Sequence, residues 1–168
     1  MTIIPSVKPS RAVTIGVDLS KRYLYLACLK NEKVKATASL DIITDPLKAF
    51  QTIIDLLSSY SFDTDAKEVY IEQPWVNNSN PRPMSSLDLG RAAAFIELAS
   101  LKAGLEPVFV SPTAWRKVVY GNGRPQDVKE LARKTVLEKF GYETKWKKDH
   151  NICEAILLAF YGQLIGNI

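Results

Sequence analysis

The sequence predicts an α/β domain: a mixed sheet of three antiparallel strands extended by parallel ones, with helices on both faces. Three observations predict it. Residues 11–42 hold three strand-like runs separated by very short polar turns, the pattern of a meander. From Asp45 onward, strand-length runs alternate with longer helical patterns, which join parallel strands through crossovers. The chain of 168 residues holds one full hydrophobic core and is short for two.

"RAVTIGVDLS" reads as a buried strand, and "RYLYLACLK" returns after a short turn. "NEK" makes a second turn into "VKATASLDI". In "DPLKAFQTIIDLLSSY", Asp45 precedes Pro46, and Leu47, Phe50, Ile53, Ile54 and Leu57 recur at helical spacing, giving a capped amphipathic helix. "KEVYIE" is a short strand, followed by the Pro- and Asn-rich loop "QPWVNNSNPRP". A long helix over "SSLDLGRAAAFIELASLKAG" ends at Gly104, and "EPVFVSP" is a further strand. "PQDVKELARKTVLEKFG", closed by Gly141, and "DHNICEAILLAFYGQLI" complete the order βββ-α-β-α-β-α-α. Residues 11–168 then form a single domain behind a flexible leader, residues 1–10.

Composition narrows the function classes. The longest uncharged apolar run, Ala155 to Tyr161, is far below the roughly 20 residues a membrane span needs, and the N-terminus lacks signal-peptide architecture. Cys28 and Cys153 lie in apolar runs without paired spacing, so buried free thiols in a reducing compartment are expected, not a disulfide or zinc site. Basic charge is concentrated: Ser111 to Lys148 holds ten Lys or Arg against four Asp or Glu, while the whole chain has a formal charge of only +4. That asymmetry suits a polyanionic partner, although a solvated helix face has the same composition.

Three carboxylates carry the chemistry. Asp18 ends the apolar run "VTIGVD" and Glu72 ends "EVYIE"; a carboxylate at the carboxyl end of an interior strand lines the crevice above a sheet. The bland alternatives are a turn-forming Asp and a surface Glu. Glu154 is the only charge in an otherwise apolar stretch from Ile152 to Phe160, so it must be protonated, paired or metal-bound. His150, the sole histidine, stands four residues earlier, on the same helix face if the helix reaches back that far. The competing reading makes "NICE" a capping box, with Asn151 as cap and Glu154 reaching back to it. Carboxylates from distant segments plus a histidine make the ligand set of a divalent-cation site, where oxygen donors favour Mg²⁺ or Mn²⁺. Two such ions suit in-line phosphodiester hydrolysis, with the basic segment holding a nucleic-acid backbone beside them.

"GVDLS", "YIEQPW", "SSLDLGRAAAFIELA" and "DHNICEAILLAFYG" together resemble the RuvC-type Holliday-junction resolvases of the RNase H-like superfamily, in order and spacing from Arg11 to Gly162. The resemblance implies an RNase H-like fold. It puts the first two metal-binding carboxylates on Asp18 and Glu72, and the last-helix ligand on Glu154. Bacterial members carry an Asp or His three residues before that ligand, where this chain has Asn151. The tail looks closer to the organellar and phage-type branch, whose ligand is a His four residues before the Glu; this implies His150, with Asp149 as the substitute. "SPTAWRKVVYG" followed by "DVKE" resembles the same branch, which has a Lys near the active site, here Lys129. Trp75 falls where the family has an aromatic wedge at the junction crossover. Arg82, Arg116, Lys117 and Arg124 would be phosphate contacts, each equally readable as plain surface charge.

By the same resemblance, the chain is expected to be a homodimer built on the helix from Ser85 to Gly104. It would nick two strands of a four-way or related branched DNA with Mg²⁺ or Mn²⁺, two ions per site, leaving 5′-phosphate and 3′-hydroxyl ends. No membrane and no small-molecule cofactor is expected. The location implied is the cytoplasm of a bacterial cell or phage-infected host, or an organelle. The alternatives are a catalytically silent junction-binding module and an RNase H-like or transposase-type domain acting on other DNA. An actin-like kinase would need two lobes and more glycine in the first turn.

Overall fold

The computed structural model describes residues 13–62, 66–74, 83–123, 126–145 and 149–166. Five strands form one mixed sheet in the order β3-β2-β1-β4-β5. They are β1 (Val13–Leu19), β2 (Tyr23–Lys30), β3 (Lys33–Asp41), β4 (Glu68–Glu72) and β5 (Glu106–Val110). β1, β2 and β3 pair antiparallel, as the short turns demand, whereas β1–β4 and β4–β5 are parallel. The β2–β3 turn puts Asn31 and Glu32 at φ 51° and 56°, the left-handed pair of a two-residue hairpin. Lys139 holds Glu32 there at 3.4 Å.

Helices cover both faces. α1 (Pro46–Phe62) and α2 (Pro83–Lys102) lie on one face, where Ile53, Leu57, Ala92, Ile96 and Ala99 bury against Val13, Ile15, Val17, Leu24, Leu26, Val69 and Ile71. The expected cap of α1 is present, with Asp45 Oδ1 accepting from the Lys48 amide at 3.0 Å. α3 (Pro112–Tyr120), α4 (Val128–Phe140) and α5 (His150–Ile165) cover the opposite face, around a core that includes Trp115, Val136, Ile156 and Phe160. Gly141, at φ 63°, closes α4 as its left-handed cap. Cys28 and Cys153 are free and buried.

α3 corrects the sequence reading, which passed from β5 directly to the helix over residues 125–141. Its N-cap is Ser111, whose hydroxyl accepts from the Ala114 amide at 3.1 Å, with Pro112 at the first helical position. "SP" before a helical turn is a start signal in itself. α5 brings a second correction. It begins at His150, with Asp149 at the cap position and no side-chain cap bond, so Asn151 is already inside the helix and the "NICE" capping box does not form.

α5 lies unusually close to the sheet, and small residues make that possible. Alternation along β1 puts Thr14, Gly16 and Asp18 on the α5 face and Val13, Ile15 and Val17 on the other. The Thr14 hydroxyl donates to the Ala159 carbonyl at 2.7 Å. A β-carbon on residue 16 would overlap the Ala155 carbonyl oxygen and the Ala159 amide nitrogen, so only glycine admits the helix here. Gly162 plays the matching part over β4, where any side chain would meet the Tyr70 ring. Among the described residues no helix is long and apolar enough to cross a membrane.

Candidate active site

Parallel pairing of β1 and β4 aligns Val17 with Ile71, so the next residues, Asp18 and Glu72, stand side by side at the carboxyl ends of neighbouring strands. Alternation turns both onto the α5 face. Close packing of α5 then lowers Glu154, the residue just before the contact of Ala155 with Gly16, toward the same two acids. Asp18 is 4% exposed and Glu154 8%.

The electrostatics follow from that crowding. Burial raises the Asp18 carboxyl well above its usual range, and the Glu154 and Glu72 charges raise it further. Burial also raises Glu72 and Glu154, against the pull of neighbours that favour their charged forms. Glu72 also feels the Glu154 charge, and Asp18 feels both. Two buried acids and a half-buried one, pushed upward together, suit a site that receives positive charge.

Some of that charge comes from the protein. The Arg116 guanidinium donates from Nη2 to Glu154 Oε1 at 3.1 Å, and the same nitrogen lies 3.7 Å from Glu72 Oε2. Glu154, the carboxylate that had to find a partner, has found this one. Trp115, fully buried, donates from Nε1 to Glu72 Oε2 at 2.7 Å and lies 5.1 Å from the Arg116 guanidinium carbon. Tyr120 packs on Trp115 with ring centroids 5.8 Å apart, and its buried hydroxyl has no hydrogen-bond partner among the described residues.

The site therefore brings together Asp18, Glu72 and Glu154, and adds Trp115, Arg116 and Tyr120. Lys129, exposed on α4, lies within electrostatic reach of Glu154. His150 opens α5 four residues before Glu154 and so shares its helix face. Asp149 precedes it, on the wall of a separate groove of about 320 Å³ between β3 and residues 142–145. Arg116, expected as a phosphate contact, is drawn inward to the carboxylates of Glu72 and Glu154. Lys117 is exposed on α3. Trp75, Arg82 and Arg124 lie outside the described residues.

Whether these residues fit a divalent cation is answered by their chemistry. The donors are hard oxygens, mutually repelling and incompletely neutralised by one guanidinium, which suits Mg²⁺ or Mn²⁺. Among the described residues, no three His, Cys, Asp or Glu side chains are already gathered as a metal-ligand cluster. The Arg116 nitrogen occupies the space between two of them.

No protein-family model matches the chain. It is 34% identical over 97 residues to the crossover junction endodeoxyribonuclease RuvC of Anaplasma marginale (strain St. Maries). That match covers 57% of this chain and 54% of the relative, so it spans about half the length of the curated protein. Among solved structures, Thermus thermophilus RuvC in complex with a Holliday junction substrate superimposes with a TM-score of 0.70 at 15% identity, over 93% of this chain and 95% of that one. A second T. thermophilus RuvC structure gives 0.63 at 18% identity, over 92% and 97%. The yeast mitochondrial Holliday junction resolvase Ydc2 gives 0.52 at 14% identity, over 98% and 83%. The fold is that of the RuvC-type resolvases.

Proposed function

We propose that the chain is a structure-selective endonuclease that resolves four-way or related branched DNA by paired, divalent-cation-dependent nicks. The observation that carries this reading is that Asp18, Glu72 and Glu154 come within electrostatic reach of one another above the strand ends, in a fold shared with a junction-bound RuvC. Asp18 and Glu72 would hold Mg²⁺ or Mn²⁺ between the strands, and Glu154 and His150 would hold a second ion from α5. When bound, such ions lower the pKa of an attacking water and offset charge on the scissile phosphate.

The protein's own residues do the rest. Rigid strand ends fix Asp18 and Glu72 to their backbones, so the ligand oxygens are placed before substrate arrives. Lys129 stands on the open side of Glu154, suited to meet a phosphate oxygen as charge develops there. Lys117 and the exposed basic residues of α4 extend that side into a backbone-binding surface whose grip should weaken with salt. Trp75 would stack at the crossover, with Arg82 and Arg124 on phosphates.

Two strands must be cut at symmetric positions, which calls for two sites on one particle. α2 supports a homodimer: Ala92, Ile96 and Ala99 face the sheet, while Leu87, Leu98 and Leu101 stand 65%, 59% and 56% exposed on its outer side. Large exposed leucines recurring along one helix face suit a partner helix.

A nicking assay tests the function. Wild type and Asp18→Asn are incubated with a synthetic four-way junction and Mg²⁺. Equal binding by both with cleavage by wild type alone is expected. Absence of cleavage by either would leave only a junction-binding module, and equal cleavage of plain duplex would mark a general nuclease.

A further inference from the structure

Arg116 presents one nitrogen to two carboxylates that the proposed reaction needs for cations. Nη2 lies 3.1 Å from Glu154 Oε1 and 3.7 Å from Glu72 Oε2. Those carboxylates come from α5 and β4, and nothing but tertiary packing brings them to a single positive charge. Trp115, the preceding residue, commits Glu72 Oε2 by its indole N–H and lies against the guanidinium. Helix α3 therefore delivers a counter-charge and a fixed hydrogen bond to the site as one unit.

The guanidinium is not settled as a permanent structural ion pair would be. Among the described residues its Nε is buried without a hydrogen-bond partner, although an arginine locked into a structural role has its donors satisfied. The side chain keeps 32% exposure, so it has a way out to solvent. The Tyr120 hydroxyl, stacked on Trp115, is a second polar group at this corner without a hydrogen-bond partner among the described residues. Both groups can donate a hydrogen bond, and the oxygens of an incoming ligand would satisfy both.

We propose that Arg116 is an exchangeable internal counter-cation: its guanidinium stands between Glu72 and Glu154 in the metal-free protein, and the divalent cations that those carboxylates take displace it. This deepens the reading of the carboxylates as a cation site and rests on it. Trp115 keeps Glu72 in place through the exchange. The released guanidinium swings to the open side of the site, where its planar fork suits a phosphate. Arg116 thereby becomes available to DNA only when the site is loaded, which would couple cation binding to grip on the backbone. Arg116 is a positioning residue in this scheme, acting through Glu72 and Glu154.

Calorimetric titration of Mn²⁺ into the metal-free full chain tests it, using wild type, Arg116→Gln and Lys129→Gln. Arg116→Gln should bind Mn²⁺ about tenfold tighter than wild type, since the competitor for both carboxylates is gone. Lys129→Gln removes an equal charge from the surroundings of Glu154 without occupying the gap, and should change affinity by less than about threefold. In EDTA, Arg116→Gln should melt below wild type, and Mn²⁺ should raise its melting temperature by more. Equal or weaker Mn²⁺ binding by Arg116→Gln overturns the proposal, as does an equal gain in both variants. Wild type that binds no Mn²⁺ at millimolar concentration overturns the cation-site reading along with it, so the two failures are told apart. A second measurement needs no variant: in the ¹⁵N spectrum of wild type, saturating Mg²⁺ should move the Arg116 Nε–H signal to the position and fast water exchange of an exposed arginine. An unmoved signal under saturation would sink the exchange.

Discussion

Gly16 lies directly beneath Ala155, with no room between the strand and the helix backbone for even a methyl group. Glu154 reaches Asp18 because α5 can descend this far, so the spacing of the candidate site is set by a residue that carries no side chain. Gly16→Ala would push α5 off the sheet, since the obstructing atoms are backbone and cannot rotate away. A loss of about 3 kcal/mol is expected, the upper part of the overpacking range. For a chain of this size that is a fall of roughly 6–12 °C in melting temperature. Mn²⁺ affinity should fall with it. Gly123→Ala, in open space, should stay within about 0.5 kcal/mol of wild type when the three proteins are compared by urea titration.

How much of this was legible in the sequence depended on whether the cause was local. Asp18 and Glu72 stand out as polar ends of apolar runs, and the short turns around Lys21 and Asn31 dictate antiparallel pairing. That the two acids share a face depends on the parallel register of Val17 with Ile71, which no local pattern displays. Glu154 was recognisable as a charge needing a partner, but Arg116 is 38 residues away and on another helix. α3 escaped notice because "TAWRKVV" has β-branched residues and no long apolar period, even though Ser111 and Pro112 marked its start. The Asn151 capping box failed on one displaced helix boundary, with α5 starting at His150.

Asp18→Asn should give a protein that is more stable without metal than wild type. Burial and two neighbouring carboxylates raise the Asp18 pKa in the folded state. A raised acid contributes stability below its unfolded value, near pH 4, and loses it as pH climbs through the folded value. Wild-type melting temperature in EDTA should therefore fall between pH 5 and 8, and Asp18→Asn should fall less. Asp41 has the opposite sign, its pKa lowered by amide hydrogen bonds from Thr44 and Ile43, so its contribution is complete above about pH 5 and does not enter this window. Identical pH profiles for the two proteins would contradict the assignment of Asp18 as a strained acid.

The two thiols should be inert in the folded protein. Burial pushes both Cys28 and Cys153 up to about 11, and neither has a disulfide partner. At pH 8 their reaction with a disulfide reagent should run at least roughly a hundredfold slower than in guanidinium, because thiolate is the reacting form. Rapid modification of either under native conditions would show that α5 or β2 opens readily.

The leucines on the outer face of α2 separate assembly from folding. Leu98 and Leu101 point away from the sheet, so replacing both with Glu removes no core packing and should alter stability by less than about 1 kcal/mol. If α2 pairs with a second copy, facing carboxylates would repel across the two-fold axis and the dimer would dissociate. Sedimentation should then show wild type at twice the 18.8 kDa chain mass and Leu98→Glu/Leu101→Glu at once that mass. The monomeric variant should keep its Mn²⁺ affinity, because Asp18, Glu72 and Glu154 all belong to one chain. It should still nick a four-way junction, but the two cuts would become independent events. On a supercoiled cruciform plasmid that appears as accumulation of nicked circles in place of linear product. Paired cutting by a variant proven monomeric would place coordination somewhere other than α2.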